Sequence, residues 1–196
     1  MCKDCGPDPA EQVINHSLDH AFTPLAQAIE NGPPDICTVC LEHISAHPDK
    51  YHYLMQLQAT RIAEYGHEVR VVFPNAGDDK QRFAYTIGRT AYDQPELLIT
   101  GPLAPDHFGQ VLNTIAEITD LRSGQILDAE AIDHSLGPHA AKLAEVTDLE
   151  AAEMFGVTSL FPTTARALQV LWPDTQGRFP DEEGYDLSAD TQPIYV

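Results

Sequence analysis

The chain has 196 residues, of which 43% are hydrophobic and 8% aromatic, enough for one ordinary domain and a small appended element. Its 30 acidic and 11 basic residues give a net charge of −19, which disfavours binding to nucleic acid and favours a basic protein partner. No apolar run could span a bilayer and the first residues lack a signal-peptide pattern, so we expect a cytoplasmic protein without membrane contact.

The first 47 residues predict a helical arm that carries two Cys-x-x-Cys pairs. A helix start at Asp8-Pro9 and a restart at Thr23-Pro24 predict two helices between the pairs, and Gly32 ends the second. Pro48-Asp49 then opens a longer helix that ends at Gly66. We therefore divide the chain into an arm at residues 1–47 and an α+β domain at residues 48–196.

The two pairs contain every cysteine of the chain: Cys2, Cys5, Cys37 and Cys40. Two such pairs are typical of a tetrahedral four-thiolate zinc site, because each short loop lets two thiolates converge on one ion. We therefore predict Zn²⁺ as the cofactor, with iron as the alternative metal.

Other uses of these cysteines stay open. A mixed site of three cysteines and His43 is the second choice, and two separate sites, with His16 and His20 as further ligands, come third. Unmetallated buried cysteines, a redox dithiol and structural disulfides are weaker interpretations.

The middle of the chain predicts strands and one helix. Alternating apolar residues at 69, 71 and 73 and again at 83, 85 and 87 predict an antiparallel hairpin. Residues 96–100 are apolar on both faces and predict a central strand. An amphipathic helix is predicted at residues 104–121.

The last third of the chain gives weaker patterns. Strands are predicted at residues 125–127 and 142–146, a short helix at 149–155, and a strand at 167–172. Residues 177–196 are rich in Pro, Gly and Asp and predict an irregular segment. Together these elements predict an α+β fold in which a mainly antiparallel sheet packs with helices. This fold has a loose similarity to the split barrel of flavin-binding reductases.

A ligand pocket is one interpretation of the region after the hairpin. Arg89 could fix an anion there, with Thr86 beside it and Tyr85 or Trp172 as an apolar wall. The simpler interpretation is that Arg89 pairs with nearby acidic residues and Trp172 fills the core. No catalytic residues are assigned.

Several short segments resemble one family. They are Phe83–Gly88, Pro95–Leu97, Gly101, Leu168–Asp174 and Gly177–Pro180, with Cys37, Cys40, Tyr65-Gly66, Leu112-Asn113 and Gln192-Pro193 as further matches. Together they resemble the uncharacterised bacterial domain-of-unknown-function family 4262 over about residues 37–194. His67 and Arg89 depart from its usual residues, and residues 1–34 are extra. The resemblance implies no chemistry.

Three functions follow from these patterns. The first is a non-enzymatic zinc protein that binds another protein, with zinc tying the arm to the body. The second is a split-barrel binder of an anionic ligand or an oxidoreductase, for which flavin is disfavoured as the cofactor. The third is a sensor that responds to thiol oxidation or zinc.

Overall fold

The structure is a computed structural model that describes residues 58, 60–74, 81–118, 120–132, 136, 140–161 and 163–196. The arm with its four cysteines, the start of the helix from Pro48 and the hairpin loop lie outside the described residues. Among the residues described, no helix has both the length and the apolar character needed to cross a bilayer.

The described residues form strands and short helices in alternation. The strands are β1 (Glu68–Val72), β2 (Phe83–Ile87), β3 (Glu96–Thr100), β4 (Ile126–Leu127), β5 (Ala141–Glu145) and β6 (Ala167–Leu171). The helices are α1 (residues 60–65), α2 (Pro105–Glu117) and α3 (Phe155–Leu160), and a 3-10 helix covers Arg89–Tyr92.

The strands form one mixed sheet in the order β1-β2-β3-β6-β5-β4. The pairs β2–β3, β5–β6 and β4–β5 are antiparallel, whereas β3 and β6 are parallel, with Glu96 opposite Ala167. The α+β class is therefore confirmed, and β3 is central as predicted. The described sheet is open, with β1 and β4 at its edges. It does not close into a barrel, so in this respect it differs from the split barrel suggested by the sequence.

The main core lies between one face of the sheet and α2. Alternate residues of the central strands point to this face, among them Leu97, Ile99, Leu168 and Val170. The buried stripe of α2 packs against them and consists of Phe108, Val111, Leu112 and Ile115. Pro105 starts α2 at a position where its missing N–H costs no hydrogen bond.

The chain divides into two compact units. The larger comprises Val69–Thr86, Gln94–Met154 and Arg166–Val196, and holds most of the sheet with α2. The described part of the other unit contains α1, the 3-10 helix and α3. There the fully buried Ile62 packs against Gly88, where a Cβ would meet its side chain at 2.8 Å.

Two predicted helices differ from the structure. Helix α2 ends at Glu117 rather than residue 121, because Ile118 is extended and Asp120 adopts a positive φ of 63°. The helix predicted at 149–155 is wrong. Asp148 accepts the amides of Glu150 and Ala151 and so holds a turn, and the helix begins only at Phe155.

Candidate functional site

A buried polar cluster joins β3 and β6 to residues 192–195, here called the C-terminal segment. Gln169 lies between Leu168 and Val170 on β6, which both face the core, so its side chain points to the opposite face of the sheet. Gln169 donates from Nε2 to the carbonyl of Pro193 at 2.6 Å and accepts the amide of Tyr195 at 2.9 Å. One buried side chain thus binds the main chain of the segment twice.

Two further groups hold the same stretch of main chain. The Thr100 hydroxyl donates to the carbonyl of Pro193 at 3.1 Å and accepts from Gln169 Nε2 at 3.3 Å. The amide of Thr147 donates to the carbonyl of Tyr195 at 3.0 Å. The segment is therefore bound through its peptide groups from Pro193 to Tyr195.

A second glutamine, Gln192, lies in the C-terminal segment, and its side chain binds the main chain at the end of β6. Gln192 accepts the amide of Trp172 at 2.9 Å and donates to the carbonyl of Trp172 at 2.8 Å. It also donates to the hydroxyl of Tyr185 at 3.0 Å. We call Gln169, Thr100 and Trp172, together with the C-terminal segment that contains Gln192, the glutamine clasp.

The indole of Trp172 supports the clasp from the end of β6. Its Nε1 donates to the carbonyl of Thr100 at 2.9 Å. The ring lies against Gly101, where an added Cβ would meet Cζ2 of the indole at 2.7 Å. Gly101 also has a positive φ of 130°, so glycine is required there by both its backbone and its neighbour.

A compact loop built on Asp174 follows the clasp. The buried carboxylate of Asp174 accepts hydrogen bonds from the amides of Gln176, Arg178 and Asp186 and from the guanidinium of Arg178. Burial raises the pKa of Asp174, but these donors, the Arg178 amide foremost, outweigh it and lower the pKa to about 2. The loop also carries Tyr185, whose pKa is raised by burial.

A separate buried pair lies at the other end of β3. The Thr86 hydroxyl donates to Oε2 of Glu96 at 2.6 Å and accepts the amide of Leu97 at 2.8 Å. Glu96 is fully buried, so the hydroxyl of Thr86 serves as one of the groups that compensate its removal from water.

The residues predicted to line a ligand pocket occupy different places. Thr86 bonds the Leu97 end of β3 and Trp172 bonds the Thr100 end, so the structure does not bring these two side chains together. Tyr85 is buried on β2 and stacks on Phe83 with 6.1 Å between ring centroids. Arg89 lies in the 3-10 helix and is 5% exposed.

The predicted metal ligands cannot be placed in this way. Cys2, Cys5, Cys37 and Cys40 and the alternative ligands His16, His20 and His43 all lie outside the described residues. Within the described ranges, no three His, Cys, Asp or Glu side chains are close enough to hold a metal ion. The zinc site therefore stays a prediction.

Comparison with known families places the clasp in context. The model of DUF4262, a domain of unknown function, matches residues 61–186, which include both strands of the clasp and the Asp174 loop. The chain belongs to the DUF4262 family. The match is narrower than the predicted extent of 37–194 and excludes the cysteines and the C-terminal segment. Searches of curated proteins and of solved structures found no match.

The contacts of the clasp give a physical role to residues that carried the family resemblance. Gln169, Trp172, Asp174, Gln192 and Pro193 all lie in the clasp or the loop beside it. No role was predicted for Gln169 or Gln192 from the sequence. A glutamine inside an otherwise apolar strand was the available signal, because a buried amide needs partners. Which partners it has depends on chain segments far apart in the sequence.

Proposed function

We propose that this DUF4262 protein is a non-enzymatic, cytoplasmic zinc-binding protein that acts by binding another protein. The observation that carries the proposal is that all four cysteines of the chain occur in two Cys-x-x-Cys pairs. This donor set suits Zn²⁺, which prefers four thiolates in a tetrahedral arrangement. Cys2, Cys5, Cys37 and Cys40 are the proposed ligands, with His43 as the replacement for one thiolate in a mixed site.

Zinc would tie the arm at residues 1–47 to the rest of the protein. Structural zinc contributes on the order of 10 kcal/mol to the folding of small modules, more than a short arm gains from packing. Loss of zinc, or oxidation of the thiolates, then releases the arm and exposes a new surface. The proposal thus includes a response to zinc or thiol state.

The charge of the chain supports a basic partner. A net charge of −19 accelerates the approach of a positively charged protein and repels nucleic acid. In the described domain, the buried polar side chains Thr86, Thr100, Gln169 and Gln192 bind the main chain or a neighbouring side chain. These contacts support a structural role for that domain.

Metal analysis of the purified protein, run with an absorption spectrum, tests the proposal. We expect a colourless protein with one equivalent of zinc. The double variants Cys2→Ser/Cys5→Ser and Cys37→Ser/Cys40→Ser should each lose the metal, because each removes half of the ligands. Retention of zinc after loss of the first pair would contradict a joint site. An absorption spectrum typical of iron bound to thiolates would show that the metal is iron rather than zinc. A flavin spectrum would favour the ligand-binding alternative.

Hydrogen exchange tests the link between metal and arm. We expect a strong chelator to increase exchange across residues 8–31 while β3 and β6 keep their protection, because each of these two strands is paired on both sides within the described sheet. The His43→Ala variant serves as a control that distinguishes four-thiolate from mixed ligation. Protection across residues 8–31 that is the same with and without chelator would refute the proposed tie.

A further inference from the structure

We propose that the exposed end of α1 is the surface that binds the basic partner, and that it recognises an arginine side chain of that protein. The surface consists of Glu64, Tyr65, Gly66, Tyr92 and Asp93, here called the tyrosine patch. The inference rests on the proposed function in one respect, that the partner is a basic protein. It adds the place of contact and the residue type that is recognised.

Two tyrosines are exposed beside one glycine. Tyr65 is 66% exposed and Tyr92 is 46% exposed. The ring of Tyr92 lies beside Gly66, because a Cβ added there would be 4.0 Å from Cε2 of the ring. Tyr65 directly precedes Gly66 in the chain. Single exposed aromatic residues are common on protein surfaces, but two at one position without a side chain form a patch of the kind that binds partners.

The ring of Tyr92 is held in place before any partner binds. Its hydroxyl donates to the carbonyl of Ile62 at 3.4 Å, and the same carbonyl accepts the amide of Gly66 at 2.8 Å. Partial burial raises the pKa of Tyr92, so the hydroxyl keeps its proton for this bond at neutral pH. A ligand that stacks on this ring therefore immobilises little that was free.

Each tyrosine has an exposed carboxylate next to it in the chain. Glu64 precedes Tyr65, and Asp93 follows Tyr92. The Glu64 carboxylate hydrogen-bonds the hydroxyl of Tyr65, and both this bond and its charge raise the pKa of Tyr65. Arg61, one turn earlier on α1, pairs instead with Glu68, with 2.8 Å between Nη1 and Oε1. The tyrosine patch thus combines two aromatic rings with two negative charges.

This combination fits an arginine better than other side chains. The face of a tyrosine ring attracts cations, and a planar guanidinium can stack on the ring while its N–H groups bind a carboxylate. The ammonium of lysine is a compact point charge without a plane that could stack. An uncharged apolar side chain would use the rings but not the carboxylates. The net charge of −19 also favours the approach of a basic protein.

Two labelled peptides of equal charge test the recognition on the full-length protein. One carries three arginines separated by pairs of glycines, and the other has three lysines in their place. General attraction to the acidic protein acts equally on both, so their difference reports the guanidinium. By fluorescence anisotropy we expect the arginine peptide to bind at least about threefold more tightly. In NMR spectra it should shift the amide of Gly66 more than that of Gly124.

Variants of the rings leave the net charge unchanged and so separate stacking from attraction. Tyr65→Ala/Tyr92→Ala should weaken binding of the arginine peptide about five- to twentyfold, because each exposed ring contributes about two- to fivefold. Tyr65→Phe/Tyr92→Phe keeps both ring faces and should stay within about twofold of wild type. Phe73→Ala, which removes an exposed ring outside the patch, should have no effect.

A matched pair of charge variants tests the carboxylate. Glu64→Gln and Glu183→Gln change the net charge equally at exposed positions. Glu64→Gln should weaken binding of the arginine peptide at least about twofold more than Glu183→Gln. Equal effects of the two would remove the carboxylate from the recognised site and overturn the proposal as stated.

Two results would refute the tyrosine patch outright. One is equal affinity of wild type for the two peptides, and the other is unchanged binding of the arginine peptide by Tyr65→Ala/Tyr92→Ala. If circular dichroism shows that this double variant is unfolded, Tyr65→Ala alone decides, with an expected loss of about two- to fivefold. An arginine preference in protein that lacks zinc would refute only the zinc proposal. Zinc-containing protein without that preference would refute only the tyrosine patch.

Discussion

Gly101 and Trp172 form the tightest backbone approach to an aromatic ring in the clasp. The glycine combines a φ of 130° with an indole that leaves no room for a Cβ. The ring is also fixed by its hydrogen bond to the carbonyl of Thr100, so it cannot turn aside without losing that bond. A single residue thus determines how β3 ends beside β6.

Gly101→Ala should destabilise the protein by about 2 to 4 kcal/mol, the sum of backbone strain and displacement of the indole. Gly124→Ala is the matched control, because Gly124 has a φ of 79° and no atom within 4 Å of the added Cβ. It should cost about 1 to 2 kcal/mol from the backbone alone. Urea denaturation followed by Trp172 fluorescence measures both. Equal losses would show that the indole contributes nothing.

At the scale of elements, the Asp174 loop connects β6 to the C-terminal segment. Its carboxylate accepts hydrogen bonds from the main-chain amides of Arg178 and Asp186. It also pairs with the Arg178 guanidinium, whose Nη2 lies 2.8 Å from Asp174 Oδ2. Such donors stabilise the charged form, which explains why the pKa of Asp174 is low despite its burial. The loop therefore depends on an ionised carboxylate.

Stability should fall in acid because of this group. The pKa of Asp174 is about 2 in the folded protein and 3.8 in the unfolded chain, so its contribution is complete above pH 3.8 and is lost as the pH falls through 2. Asp174→Asn should lower the urea midpoint at pH 7 and flatten its decline between pH 4 and 2. Asp190→Asn, at an exposed position, should leave both unchanged. A parallel decline in wild type and Asp174→Asn would refute the assignment.

Local sequence patterns predicted some elements well and others poorly. Strand β3 was predicted with its observed bounds, because an apolar run between Pro95 and Gly101 carries its own signals. The turn at Asp148 was missed, because its carboxylate competes with helical hydrogen bonds for the same amides. The clasp could not be predicted, because Gln169 and Pro193 meet only after the sheet has formed.

At the scale of the whole molecule, charge is the dominant property. With a net charge of −19, the acidic side chains of the folded protein repel one another and lower its stability. Dissolved salt screens this repulsion, and the screening length is about 10 Å at 0.1 M. We expect the melting temperature at pH 7 to rise as NaCl is increased from about 10 to 300 mM.

The matched condition for this experiment is a pH near 4.5, the isoelectric point expected from the sequence, where the net charge approaches zero. The effect of NaCl on the melting temperature should become much smaller there. A salt dependence that is equally steep at both pH values would indicate specific ion binding rather than screening of the net charge.

The parallel pair at the centre of the sheet has a consequence for synthesis on the ribosome. Strand β3 emerges beside β2, but its other neighbour, β6, follows about 70 residues later. At 5–20 residues per second this delay lasts roughly several seconds. During that time the apolar edge of β3 has no strand to pair with, and newly made chains are then most prone to aggregate or to need a chaperone.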